Sequence, residues 1–376
     1  MKTFSCVLCC LSFLLFVEEA EAQSVDARPT VVLTDEGRAV HESGMLFDGH
    51  NDLPWQMRKI GQSSFDQLDI SKPQPTLHTD IARLREGGLK AQFWSVYVPA
   101  STDGEGTALL QTVQQIDLVK VMVNRYPETF ELASTVADIR RIAKAGKIAS
   151  MMGIEGGYSI ESNLDNIERF YDMGCRYMTL THSKSLQWAD SATDEPICGG
   201  ISAFGVRVIA EMNRVGMLID LSHVSPDCMK QSLAVTKAPV IFSHSSALSI
   251  NDHPRNVPDD VLKMLPANGG VVMVNFFSKY VVPSEKLKVN EQQPGTIHDV
   301  VDHIEHIIEV AGIDHVGIGS DFDGVPTLPV QLEDVSKYPL ITQEMLNRGH
   351  SADDIRKLLG GNVLRALEQA EKVAAK

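Results

Sequence analysis

The stretch LFDGHNDLPW, Leu46 to Trp55, places Asp48, His50, Asn51 and Asp52 directly behind an apolar start. Such a cluster is either a polar surface loop or a strand end that delivers ligands to a metal. The pattern recurs along the chain. Glu155 closes the apolar run KIASMMGIE, His182 closes RYMTLTH, His223 closes GMLIDLSH, His244 closes APVIFSH, and Asp321 falls within HVGIGSDFD. Imidazole and carboxylate ligands without thiolate suit zinc, with manganese or cobalt as other occupants. A carboxylate such as Glu155 can bridge two cations about 3.5–4 Å apart that hold a nucleophilic hydroxide. The chemistry of such a set is metal-assisted hydrolysis.

The elements that must position these groups are short and regular. Eight apolar runs begin at residues 44, 91, 147, 176, 216, 238, 269 and 315. Most are near-continuous rather than alternating, as expected of parallel strands buried on both faces. Helical stretches separate them. FGVRVIAEMNRVG spaces its apolar residues at helical intervals and stops at Gly216, and VVDHIEHIIEVAG carries a stripe of Val300, Val301, Ile304, Ile307 and Ile308. Eight strand–helix units are the count of a (β/α)8 TIM barrel, with a doubly wound open sheet as the other architecture. In the barrel the carboxyl ends of the strands share one mouth, so residues far apart in sequence converge there. His50 and Asp52 are two apart, and in an extended strand end both point to the same side.

Other titratable residues are read as structural. His298, His303 and His306 lie among Asp299, Asp302 and Glu305, the composition of a solvated charged face. His41 and His78 follow no strand, and His253 and His350 fall in turn-like stretches. Cys175, Cys198 and Cys228 lack ligand spacing; the other three of the six cysteines, Cys6, Cys9 and Cys10, fall in the N-terminal apolar segment, and the odd number left excludes a disulfide scaffold.

The 376 residues are 43% hydrophobic, enough for a sizeable core, and the length fits one large barrel. A formal net charge of -15 argues against a nucleic-acid partner and leaves no polybasic segment for an anionic membrane. Residues 1–22 read as a signal peptide. Lys2 precedes the apolar run Phe4 to Val17, which is short for a membrane span, and Ala20-Glu21-Ala22 offers a cleavage site. Residues 23–376 are then a single barrel domain, exported and soluble, secreted or periplasmic, with no membrane anchor after cleavage. The terminal EQAEKVAAK lacks the hydrophobic tail of a lipid-anchor signal.

FDGHNDLPW, GIEGG, YMTLTH, LIDLSHVS, PVIFSHSSA, RNVPDDVL, VVMVNFF and GIGSDFDGV, taken in order, closely resemble the renal (membrane) dipeptidase family of the amidohydrolase superfamily. The resemblance runs from about Gly44 to Leu367. It implies two zinc ions per chain, one held by His50, Asp52 and Glu155 and the other by Glu155, His223 and His244. It also implies that His182 touches the substrate carbonyl, that Arg255 and Tyr280 hold the substrate's terminal carboxylate, and that Asp321 is the acid/base group. Asp323 competes for that last role, and the strand ending at Gly319 favours Asp321. The loop from His182 to His223 looks shorter than in mammalian members, so their disulfides are not carried over.

The implied activity is hydrolysis of dipeptides, with those ending in a D-residue among the possible substrates, by a metal-bridging hydroxide. The family implies a homodimer. Two rivals stand beside this reading. One is another binuclear amidohydrolase, a lactonase or deaminase, whose substrates need no carboxylate clamp. The other is a barrel that binds without catalysing, against which the complete ligand set argues.

Overall fold

The computed structural model describes residues 28–283, 287 and 294–374. The expected signal peptide lies outside these residues. Nine parallel strands form one sheet: β1 Phe47–Asn51, β2 Ala91–Ser95, β3 Phe130–Leu132, β4 Ile148–Glu155, β5 Cys175–Thr179, β6 Leu218–Asp220, β7 Val240–Phe242, β8 Val271–Val274 and β9 Val316–Ile318. The order is β2-β1-β9-β8-β7-β6-β5-β4, and β2 also pairs with β4. That pairing closes eight strands into a (β/α)8 barrel. The eight apolar runs correspond to these eight strands. The ninth strand, β3, was not expected. It pairs only with Ile148 to Ser150 at the start of β4, on the edge that β5 takes up from Met152 onward. Its burial is mixed, so it carries no apolar run.

Alternation along the strands fills the barrel. Phe47, Phe93, Met151, Tyr177, Leu218, Ile241 and Met273 belong to one apolar cluster. Phe47 stacks on Phe93 at 5.0 Å between ring centres, and Phe93 meets Tyr177 edge-on at 4.9 Å. The cluster continues into Ile139 and Ile142 of helix Val136–Lys144 and into Val363, Leu364 and Leu367 of helix Asn362–Ala374. These two helices close the barrel end away from the candidate ligands. Burying each such side chain contributes about 1.5–3 kcal/mol.

The surrounding helices begin and end where local chemistry dictates. Ser202 caps Ala203–Val215 by accepting from the Phe204 and Gly205 amides, and Gly216 ends it at φ 87°. Thr296 and Asp299 form a capping box at the head of Ile297–Ala311. That helix corrects one expectation. His303 is fully buried and His298 nearly so, and neither lies on a solvated face. His303 accepts from the Ala247 amide at 3.0 Å through Nδ1 and donates to the Val281 carbonyl at 2.9 Å through Nε2. His298 faces Glu344 at 2.9 Å and the Pro29 carbonyl. His306 is half-buried and pairs with Asp259 at 2.8 Å. His41 is also buried, between Thr342 and the Gly87 carbonyl. Cys175, Cys198 and Cys228 are free thiols. Among the described residues no helix is long and apolar enough to cross a membrane.

Candidate metal centre

Each sequence-predicted donor sits at the mouth formed by the carboxyl ends of the strands. On β1 the register against β2 slips by one residue between Asp48 and Asn51. Phe47 points into the barrel core, and His50, three positions on, would face outward in a regular strand. The extra residue re-aims it inward, a common use of bulges beside active sites. His50 Nδ1 then meets the Tyr177 hydroxyl at 2.8 Å, and its Nε2 lies 3.1 Å from Asp52 Oδ2 and 3.5 Å from Glu155 Oε2. Asp52 lies just beyond the strand, contrary to the expectation of an extended strand end carrying both residues. It precedes helix Leu53–Lys59, and its amide donates to the Phe322 carbonyl. The pair meets nonetheless.

Glu155 ends β4 on the inward face. Its two oxygens face different partners. Oε2 lies toward His50 and accepts from Ser95 Oγ at 3.3 Å. Oε1 lies 3.0 Å from His223 Nε2, 3.3 Å from His244 Nε2 and 3.7 Å from His182 Nε2. His223 follows β6 at φ 69° and Asp321 follows β9 at φ 67°. Positive φ is uncommon outside glycine, though Asp and His tolerate it better than most.

Three overlapping donor triads have ligand atoms within 4.8 Å of one another: His50, Asp52 and Glu155; Glu155, His223 and His244; and His50, His244 and Asp321. All are buried. Asp52 Oδ1 is buried with no hydrogen-bond partner. Burial, with Arg255 and His182 nearby, holds His223 well below the usual histidine pKa. Burial and His50 do the same to His244. The His223 and His244 imidazoles, held toward the neutral form, the clustered carboxylates and an orphaned oxygen fit divalent cations.

A cavity of about 260 Å³ opens over these groups. Arg255, Tyr280, His182 and Asp321 all line it, together with Trp55 and Tyr97. Arg255 is buried, and it donates to the His244 carbonyl at 3.1 Å and to Ser245 Oγ at 3.3 Å. Its Nε has no partner. Tyr280, on the short helix Ser278–Val281, holds its ring 5.3 Å from the guanidinium carbon. His182 Nδ1 is also unpartnered. Asp321 accepts from Asn275 Nδ2 at 2.8 Å. Burial pushes Asp321 up to about 8, with Asp52 and Glu155 adding to it against the pull of His50 and Asn275. Asp323 turns elsewhere, accepting from the His78 amide at 2.7 Å. Trp55, Tyr97 and Asn275 had not been singled out. Asn275 follows an apolar run like the other donors and was open to the same reading. The two rings carried no signal beyond being aromatic.

The barrel and its donor set define a metal-dependent hydrolase. A family model described as "Membrane dipeptidase (Peptidase family M19)" matches residues 34–376. Dipeptidase verJ of Clonostachys rogersoniana is 41% identical over 341 residues, covering 88% of this chain and 85% of that protein. A Rhodobacter sphaeroides metallopeptidase, solved with a phosphinate mimic of the dipeptide L-Ala-D-Ala, superposes with a TM-score of 0.76 at 25% identity, over 87% of this chain and 99% of its own. The probable dipeptidase PvdM of Pseudomonas aeruginosa shares the fold with a TM-score of 0.80 at 24% identity, over 90% of this chain and 98% of its own. The chain belongs to the membrane dipeptidase family and is a metal-dependent dipeptidase.

Proposed function

We propose that two zinc ions occupy the centre, one on His50, Asp52 and Glu155 and one on Glu155, His223 and His244, and that the site cleaves dipeptides held by their free carboxylate. The observation that carries this is the division of Glu155, with Oε2 toward His50 and Oε1 toward His223 and His244. When bound, two such cations lower the pKa of a shared water and polarise the scissile carbonyl.

The chain's own groups do the rest. Arg255 forms no ion pair with a carboxylate among the described residues and keeps donors unused at the cavity wall. A buried cation of this kind calls for an anionic partner, and a planar guanidinium matches a carboxylate two bonds at a time. The Tyr280 ring backs it. His182 presents an imidazole beside Glu155 and stabilises the developing oxyanion. Asp321, which lines the cavity beside the donors, accepts a proton from the attacking water and returns it to the leaving amine. Fixing the carboxylate beside the metals measures substrate length and favours dipeptides, including any with a C-terminal D-residue that the cavity admits.

Two lesser proposals accompany this one. Residues 1–22 act as a signal peptide and the domain from residue 23 is exported, supported by the Phe4 to Val17 run and the Ala20-Glu21-Ala22 site. The active species is a homodimer, supported by family resemblance alone.

The test compares a dipeptide, its C-terminal amide and the tripeptide extended at the C-terminus on zinc-loaded protein. Cleavage of the dipeptide well above the other two supports the clamp. Equal kcat/KM for all three removes it.

A further inference from the structure

A buried polar layer separates the donor cluster from the apolar barrel core, and it centres on Asp220 at the end of β6. Asp220 Oδ1 accepts from the Ser222 amide at 3.0 Å and the Ser243 amide at 2.8 Å. Its Oδ2 accepts from Thr179 Oγ1 at 2.5 Å and Ser243 Oγ at 2.6 Å. Ser243 Oγ lies 2.8 Å from His244 Nδ1.

Hydrogen-bond chemistry fixes every direction in this chain. A carboxylate only accepts. The single hydroxyl proton of Ser243 therefore points to Asp220. The Ser243 oxygen is left to accept from His244, so His244 carries its ring proton on Nδ1. Its Nε2 then presents a lone pair toward Glu155 Oε1 at 3.3 Å and His223 Nε2 at 2.9 Å. The corresponding nitrogen of His50 has a different neighbour. It meets the Tyr177 phenol, whose ring fits only because Gly153 has no Cβ to collide with it. A phenol both donates and accepts, so it orients His50 without dictating a tautomer.

We propose that Asp220 is a positioning residue which, acting through Ser243, holds His244 in the one tautomer able to bind the second cation. This rests on His244 being a ligand, as proposed above. Partners of this kind are worth 10–100-fold in metal affinity.

The substitution Asp220→Asn tests it. The amide oxygen can keep the two backbone donors, while the amide nitrogen faces Thr179 and Ser243 and donates where Oδ2 accepted. Ser243 then turns its proton to His244 Nδ1 and drives the ring proton to Nε2. Expected are a second-site affinity lower by about 10–100-fold in chelator competition, retention of the first ion, and a cooperative thermal transition. Nitrogen-15 histidine spectra of the metal-free protein, with the His244 signal assigned by its loss in His244→Ala, should change from the Nδ1–H to the Nε2–H form. If His244→Ala still binds two ions with wild-type affinity, the ligand reading fails. If His244→Ala loses an ion but Asp220→Asn keeps both affinities and the Nδ1–H form, the positioning proposal alone is overturned. Should Asp220→Asn not fold, Ser243→Ala decides: weaker second-site binding supports the relay, and wild-type binding ends it.

Discussion

Arg255 and Tyr280 meet at the cavity wall, the guanidinium carbon 5.3 Å from the ring centre, with no carboxylate of the described chain paired to the cation. A dipeptide places its own carboxylate one residue from the scissile carbonyl. A tripeptide cut at its first bond places it up to ~3.6 Å further along. An amide leaves the guanidinium unpaired, at a cost of order 1–3 kcal/mol or more for a charged group. The expected loss in kcat/KM is about 10- to 100-fold or more. Arg255→Lys removes the two-bond geometry and should raise KM sharply with metal content unchanged. Steady-state kinetics with metal analysis on the same samples check this, and an unchanged KM would count against the clamp.

Asp321 lines the same cavity, bonded to Asn275 and pushed up to about 8 chiefly by burial. Turnover in Asp321→Asn should fall by roughly 10²–10⁴-fold, the usual contribution of a positioned acid/base, while both ions stay bound. Asp323→Asn, whose side chain faces the His78 amide instead, should lose far less. A large loss confined to Asp323→Asn would reverse the assignment. Loss of an ion in Asp321→Asn would make Asp321 a ligand, as its distance to His50 and His244 allows.

His303 governs a stability effect away from the site. Burial lowers it from the ordinary 6.5 to about 4, and its Nδ1 is already occupied by the Ala247 amide. Between those values the unfolded chain binds a proton that the folded chain refuses. Stability therefore falls as pH drops from 6.5 toward 4, and the loss levels off below. The full effect is roughly 3 kcal/mol. His303→Gln should lower stability at neutral pH yet flatten this slope. Denaturant melts of both proteins across the range measure it, and parallel slopes would rule the effect out.

The same residue shows where the sequence was readable and where it was not. His303 lies three positions after Val300 and four before Ile307, on the buried stripe of its helix. The periodicity was present, but the acidic neighbours Asp299, Asp302 and Glu305 suggested solvent. The eight barrel strands were legible because burial on both faces makes each an uninterrupted apolar run. Strand β3 was not, since three residues of mixed burial leave no pattern. The donors were legible because each follows such a run. The bulge that turns His50 inward was not, because it is a mismatch between β1 and β2 rather than a property of either. Tyr177 and Asp220 likewise read as ordinary strand residues until the barrel closes and sets them against His50 and Ser243.

Glu155 is proposed to join two cations, and metal content in Glu155→Gln tests this most directly. The amide keeps the size of the side chain and loses its charge and half its acceptor capacity. Wild-type and variant chains, loaded with zinc and freed of excess, are compared by mass spectrometry for ions per chain and by turnover of one dipeptide. The expected result is two ions in the wild type, fewer in the variant, and activity lost together with the metal. Two ions per chain and normal turnover in Glu155→Gln would contradict the bridge.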